Sequence, residues 1–292
     1  VLFGAVASPS HPVEGYRSPI VALRKALDLY ANIRPVVGLP TADGQSSDID
    51  LVVVRENTEG LYAGRERLED DGNTAIAERV ITKRSSERIV RTACELAQKR
   101  AAITASMATS GDATPRRPKL TIVHKANVLR VTDGLFRQTA LAVTERSPDI
   151  EVEELLVDTA AMHLAQSPQR FDVVVSTNMF GDILSDVACI HGGGLGLASS
   201  ANLGDSAALF EPVHGAAPDI AGQGVANPLA MFGCVAMLLE WSEPRMKGSK
   251  QWALRLRAGV QHILRHGPHT PDMGGTATTT DVTHALQALL SS

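Results

Sequence analysis

Asp182 and Asp186 stand four residues apart in Asn178-Met179-Phe180-Gly181-Asp182-Ile183-Leu184-Ser185-Asp186. On a helix that spacing puts both carboxylates on one face. Two like charges there repel, so the pair reads either as a solvated acidic face or as a seat for a divalent cation. Hard oxygen ligands would select Mg2+ or Mn2+ over zinc. Arginines supply a second set. Arg24 and Arg34 flank Leu27-Asp28-Leu29-Tyr30-Ala31-Asn32, and Arg55 closes the run Leu51-Val52-Val53-Val54. The guanidinium fork is the preferred bidentate partner of a carboxylate. Three converging forks would suit a substrate with several carboxylates, whereas each alone reads as a surface ion pair. Lys125, in His124-Lys125-Ala126-Asn127, follows another apolar run and could act as a base beside such a site.

Two glycine-rich stretches differ in meaning. Gly192-Gly193-Gly194-Leu195-Gly196 lacks the spacing of a dinucleotide fingerprint and reads as a tight turn. Residues 211–222 (Glu-Pro-Val-His-Gly-Ala-Ala-Pro-Asp-Ile-Ala-Gly) pack turn formers around a histidine and two acids. A loop of that composition could wrap a nucleotide through backbone donors, with an acid on a ribose hydroxyl.

The elements that must position these residues follow from apolar patterning. Runs 51–54, 120–123 and 172–175 are short and rich in β-branched residues, without alternation, which suits strands covered on both faces. Between them, 85–100 carries Ile89, Ala93, Leu96 and Ala97 at helical spacing, with Ser85 or Ser86 as cap, and 132–146 reads as a second helix. Strand alternating with helix predicts an α/β fold with a largely parallel sheet. Charged segment 64–83, with Asp70-Asp71-Gly72-Asn73 at its middle, reads as a protruding hairpin. Segment 101–118, rich in Ala, Thr, Ser and Pro, reads as a flexible surface insertion.

The 292 residues are 44% hydrophobic and carry a net charge of -4, enough for a sizeable core and no pointer to nucleic acid. The three cysteines have no paired spacing, which argues against a disulfide framework or zinc site and for a reducing compartment. The run 228–241 is too short to cross a bilayer and reads as a buried helix, so no membrane association is expected. The chain opens at Val1 directly in strand-like residues, which suggests a fragment whose preceding segment, with any targeting signal, lies outside it.

Taken together, these residues resemble the isocitrate/isopropylmalate dehydrogenase family of β-decarboxylating dehydrogenases over nearly the whole chain. The matching motifs are Leu23-Arg24, Asn32-Ile33-Arg34-Pro35, Val54-Arg55-Glu56-Asn57-Thr58-Glu59-Gly60-Leu61-Tyr62, His124-Lys125-Ala126-Asn127-Val128-Leu129, Val157-Asp158, 181–186 and 211–228. The resemblance implies an isopropylmalate-dehydrogenase-like, two-lobed α/β fold with a parallel or mixed sheet, its amino-terminal part missing. A large cofactor domain would comprise 1–30 and 193–292. A small domain, 31–192, would carry the dimer interface and a protruding arm at 63–83.

The resemblance also implies roles. Ser18, Arg24, Arg34 and Arg55 would bind the substrate, with the arginines on its carboxylates. Asp182 and Asp186 would hold Mg2+ or Mn2+, with Asp158 completing the set. Lys125 would take the hydroxyl proton and Tyr62 would protonate the carbon left by CO2. Lys125 and Asp158 would reach the site from the neighbouring subunit, so a homodimer is the minimum unit. Glu211, His214, Gly215, Ala216, Ala217, Asp219, Ile220 and Asn227 would line the cofactor site. Asp219 stands where the NAD-using members place an acid on the adenosine ribose, which favours NAD over NADP.

Substrate choice rests on 13–24 (Val-Glu-Gly-Tyr-Arg-Ser-Pro-Ile-Val-Ala-Leu-Arg), which looks most like the fungal homoisocitrate dehydrogenases, as does Thr270-Pro271-Asp272-Met273-Gly274-Gly275. Arg17 would either meet the distal carboxylate of a longer substrate or face solvent. The implied reaction is NAD-dependent conversion of homoisocitrate to 2-oxoadipate and CO2, a step of lysine biosynthesis by the aminoadipate route, in mitochondria or cytoplasm. The alternatives are an isocitrate or 3-isopropylmalate dehydrogenase, or a non-catalytic subunit on the same fold.

Overall fold

A computed structural model describes residues 1–6, 9, 11, 13, 15–16, 18–39, 47–109 and 117–291. The elements begin with α1 (Pro19–Ala26), β1 (Ala31–Val37), β2 (Asp50–Glu56), β3 (Gly60–Glu69) and β4 (Thr74–Val80). They continue with α2 (Lys83–Thr109), β5 (Lys119–His124), α3 (Thr132–Thr144), β6 (Glu151–Leu156), α4 (Val157–Gln166), β7 (Val173–Ser176) and α5 (Asn178–Cys189). The last are β8 (Ser199–Leu203), β9 (Ala208–Pro212), α6 (Leu229–Ser242), α7 (Ser249–His266) and α8 (Thr279–Ser291). The chain is α/β, with parallel and antiparallel strand pairs.

The chain divides into two compact units. One comprises Val1–Leu27, Arg34–Ile49 and Cys189–Ser292, the other Asp28–Ile33 and Asp50–Ala188. Segment 34–49, grouped with 31–192 in the sequence reading, counts here with 189–292.

In the second unit β7 is central, pairing in parallel with β2 on one side and β5 on the other, while β6 extends the row beyond β5. Leu51, Val53, Val54, Leu120, Ile122, Val123, Val173, Val174 and Val175 are all wholly buried. Each such side chain contributes about 1.5–3 kcal/mol relative to exposure. This core stiffens the strands whose carboxyl ends carry the polar residues. Helix α2 packs Ile89, Val90, Ala93 and Ala97 inward against β2, β5 and β7. Its cap is Thr82, not Ser85 or Ser86. The Thr82 hydroxyl accepts the Ser85 N–H at 3.2 Å, which satisfies an orphan donor of the first turn.

Helix α2 also continues through residue 109, so the first half of the expected insertion 101–118 is helical. Alanines at 101, 102, 105 and 108 favour helix more strongly than the neighbouring Ser and Thr oppose it. Residues 110–116 lie outside the described residues. Strands β3 and β4 form an antiparallel hairpin whose turn is Asp70–Gly72.

In the first unit, α6 packs on β8 and β9, α7 on α6, and α8 on α7. Leu229, Ala236, Ala253, Leu256, Ile263, Val282 and Leu286 form the core between these helices. The run 228–241 is therefore a buried helix in this layer, with Leu229, Ala230, Cys234, Ala236 and Met237 inside. The 192–196 stretch is a turn region, with Gly193 and Gly194 at φ 88° and 86° between two 3-10 turns. Cys94, Cys189 and Cys234 are free and buried. Among the described residues, no helix is long and apolar enough to cross a membrane.

Candidate active site

Four parallel strands ending along one edge deliver the polar residues of the second unit. Leu156 ends β6 and is followed by Asp158 in the first turn of α4. His124 ends β5 just before Lys125. Ser176 ends β7, and α5 starts at Asn178 with Asp182 one turn on. Arg55 lies at the end of β2. The carboxyl edge of a parallel sheet is where such folds hold ligands.

Register brings Arg55 to α5. Val54 pairs with Val175 and Arg55 with Ser176, so the guanidinium reaches the start of the helix that follows β7. Its Nε and Nη2 donate to Asn178 Oδ1 at 2.9 and 2.7 Å, and Nη1 donates to Asp182 Oδ1. Arg55 is only 2% exposed, so its end of the ion pair is shielded from solvent, while the Asp182 side chain is 30% exposed. Gly181 makes the approach possible. A Cβ there would lie 2.8 Å from Arg55 Cβ and 2.9 Å from its Cγ.

Tyr62 arrives by a different device. The ladder of β3 and β4 runs from Gly60 opposite Val80 directly to Arg65 opposite Glu78, leaving residues 61–64 against Arg79 alone. Bulges of this kind bend a strand and re-aim a side chain. Gly60 and Gly64 bracket it at φ 83° and 67°, conformations that residues with a Cβ rarely adopt. The result is that the Tyr62 hydroxyl donates to Asp182 Oδ2 at 2.7 Å, with the Arg55 guanidinium 5.1 Å from its ring centroid. Burial, and secondarily the bond to Asp182, pushes the Tyr62 pKa above its ordinary value. The hydroxyl therefore keeps its proton.

Glu56 and Glu59 hold the connection between β2 and the bulge. Glu56 accepts the N–H groups of Thr58 and Glu59, and Glu59 accepts the Thr82 N–H and hydroxyl. Burial raises the pKa of Glu59.

Lys125 and Asp158 form the second group on the edge, with Lys125 Nζ donating to Asp158 Oδ1 at 2.5 Å. That bond holds the exposed Asp158 carboxylate below the usual pKa range. Asp186 is exposed on α5, one turn beyond Asp182. Among the described residues no three His, Cys, Asp or Glu side chains gather as a metal cluster, so Asp182, Asp186 and Asp158 do not meet within one chain. Asp182 and Asp186 are nevertheless an all-carboxylate donor pair on one helix face, the chemistry a hard divalent cation selects.

The first unit holds the remaining candidates. Arg24 on α1 donates to Glu211 Oε1 at 2.9 Å, and Asn202 donates to the same oxygen at 2.8 Å, so Glu211 is engaged within its own unit. Arg34 is buried in β1. Ser18 precedes α1 and its carbonyl accepts the Ala22 N–H. Arg17 and Glu14 lie outside the described residues.

An open cleft of about 990 Å3 is lined by His214, Gly215, Ala216, Ala217, Ile220 and Asn227, all six of them candidates for the cofactor site. Ala217 takes a left-handed conformation at φ 43°, which bends the loop around the cleft. Glu211 and Asp219 are not among the lining residues. Asp272 is, and sequence reasoning gave it no role. Its carboxylate is fixed by Thr270 Oγ1 and Asn227 Nδ2. The available signal was an acid inside the turn Pro271-Asp272-Met273-Gly274.

The second unit thus presents arginine, lysine and carboxylates along a strand edge, and the first holds an open, largely apolar cleft. The chain belongs to the isocitrate/isopropylmalate dehydrogenase family, whose model matches residues 1–286. The members of that family are β-decarboxylating dehydrogenases that use NAD(P) and a divalent metal. Homoisocitrate dehydrogenase of Methanocaldococcus jannaschii is 48% identical over 293 residues, covering 97% of this chain and 78% of that protein. Isocitrate/homoisocitrate dehydrogenase of Thermus thermophilus is also 48% identical, over 291 residues that cover 100% of this chain and 80% of that one. The crystal structure of isocitrate dehydrogenase from Methylococcus capsulatus matches with a TM-score of 0.83 at 41% identity, covering 99% of this chain and 80% of that one.

Proposed function

We propose that the chain oxidises homoisocitrate with NAD and releases CO2 and 2-oxoadipate, working as a homodimer in which each site takes residues from both copies. The observation that carries this reading is the Arg55–Tyr62–Asp182 cluster. It unites a shielded cation, a proton donor and a metal-seat carboxylate within direct hydrogen-bond contact. The likeness to relatives named for homoisocitrate supports the substrate.

Asp182 and Asp186, with Asp158 from the second copy, would hold Mg2+ or Mn2+. When bound, the ion supplies positive charge that stabilises negative charge on the substrate's C2 oxygen. Arg55 fixes Asp182 and Asn178 and adds a field that draws a substrate carboxylate in. The hydroxyl proton passes to Lys125 Nζ, and Asp158 stabilises the ammonium that results. NAD, which the cleft lined by His214, Gly215, Ala216, Ala217, Ile220 and Asn227 would hold, would supply the acceptor for the C2 hydride. After the β-carboxylate leaves, the Tyr62 hydroxyl returns a proton to the carbon it vacated. Val128, Val131 and Ile183 are exposed apolar residues beside Lys125 and Asp182, which supports a second copy covering these halves of the site.

The cleft lining favours NAD. Among its described residues it presents Asp272 and no lysine or arginine, so a 2′-phosphate would find no strong cation there. Within the family a second reading is turnover of isocitrate or 3-isopropylmalate, and the name of the Thermus relative favours the former. A panel of homoisocitrate, isocitrate and 3-isopropylmalate with NAD or NADP and Mg2+ decides it. The expected result is the highest kcat/KM for homoisocitrate with NAD. A tenfold preference for either other acid overturns the substrate assignment.

A further inference from the structure

Behind the carboxyl edge of the second unit lies a buried ion pair with no part in the reaction above. Asp133, in the first turn of α3, is wholly buried, and its Oδ2 accepts the backbone N–H of Lys125 at 2.6 Å. Its Oδ1 faces Arg79 Nη1 at 2.8 Å, an ion pair rather than an aligned hydrogen bond. Arg79 is the residue of β4 that faces the bulge carrying Tyr62. Its Nη2 donates to Thr177 Oγ1 at 2.7 Å, and its guanidinium carbon lies 4.6 Å from the Phe180 ring centroid. Thr177 immediately precedes α5 and Phe180 lies in its first turn, between β7 and Asp182.

We propose that Asp133 is a positioning residue that fixes the Lys125 turn through the Lys125 amide, with Arg79 as the charge partner that ties it to the base of the arm and to the start of α5. The proposal rests on the reading of Lys125 as proton acceptor. Apolar residues of the same volume would serve the fold as well as, or better than, a buried charge pair. An acid at 133 is distinguished by what it can do for the turn. Its side-chain oxygen accepts the Lys125 amide, and Arg79 balances its charge. Burial lifts the Asp133 pKa even with Arg79 beside it, which marks a carboxylate held in place against its solvation preference.

Two charge-balanced double variants separate positioning from general support. Arg79→Met with Asp133→Asn removes both charges and keeps an oxygen for the Lys125 amide. Arg79→Met with Asp133→Ala removes that oxygen too. The first should keep kcat within a few-fold of the parent. The second should lose ~10–100-fold in kcat, the range seen when a group that orients a catalytic ligand is removed. KM for the hydroxy acid and for NAD should stay unchanged in both. A purely structural pair would lower the melting temperature in both and leave their kcat alike, so equal kcat in the two folded variants overturns the proposal. If either variant does not fold, the parent protein decides. Amide hydrogen exchange at Lys125 should be slow, and fast exchange overturns the proposal. Lys125→Met tests the underlying reading separately. Full turnover there removes Lys125 as acceptor. An inactive Lys125→Met beside a fully active Ala double variant removes only the role of Asp133.

Discussion

Gly181→Ala adds one methyl group where α5 meets β2, and its consequences for stability and for turnover should diverge. The new Cβ would sit 2.8, 2.9 and 3.1 Å from Arg55 Cβ, Cγ and Cα. Carbon atoms prefer about 3.5–4.0 Å. Relief therefore needs a displacement of about 0.5–1 Å, and because one contact is backbone, the helix must move rather than a flexible side chain. Overpacking of this kind costs ~1–3 kcal/mol. Replacing a helical glycine by alanine gains ~1 kcal/mol. The net destabilisation is then ~0–2 kcal/mol, measurable by urea unfolding. Turnover should suffer more, because the same shift pulls Asn178 and Asp182 off the Arg55 guanidinium. A misplacement of ~1 Å at a reacting centre can cost 100-fold. NADH formation at varied substrate and Mg2+ should show that loss in kcat/KM. A variant that gains ~1 kcal/mol of stability and keeps full kcat/KM would show that the contact does not constrain the site.

Asp182→Asn should weaken Mg2+ dependence and turnover together, by at least ~100-fold, since even partners of metal ligands cost 10–100-fold when removed. An unchanged Mg2+ titration removes Asp182 from the seat. Tyr62→Phe should slow protonation after CO2 loss more than hydride transfer, so a single-turnover burst of NADH should survive while steady-state turnover falls. Equal loss in both contradicts the role given to the hydroxyl. Burial raises the pKa of Glu59, so its ionisation opposes folding. Its contribution is complete below the ordinary carboxylate range and shrinks as pH rises through the raised value. Glu59→Gln should therefore show a larger deficit against the parent at pH 4 than at pH 8 in denaturant unfolding, and the reverse trend refutes the assignment.

The sheet strands of the second unit were legible because both faces are covered, which leaves continuous apolar runs at 51–54, 120–123 and 172–175. The spacing of Asp182 and Asp186 was legible for a similar reason, since helical geometry fixes what four residues mean. Helix α2 was read too short because Ser, Thr and Pro in 101–118 masked the alanines that continue it. What no local pattern carries is contact across distance. Tyr62 meets Asp182, 120 residues away, only because a four-residue bulge turns it out of its ladder. Arg79 meets Asp133 likewise only in the folded chain, so the sequence shows two ordinary charges in unrelated segments. Asp272 was passed over because a turn acid is common, and only the cleft around it gives it meaning.

The partition of the candidate residues has a consequence for how substrate range can change. Arg55, Tyr62, Lys125, Asp158, Asp182 and Asp186 all sit on the second unit, whereas the described residues of 13–24 and the open cleft sit on the first. On the proposed roles, the bond-breaking groups are anchored in one framework, while the parts that would sort one acid from another belong to a different framework. Drift in the sorting parts leaves the anchored groups undisturbed. A lineage built on such a division would acquire a new acid without reinventing the reaction.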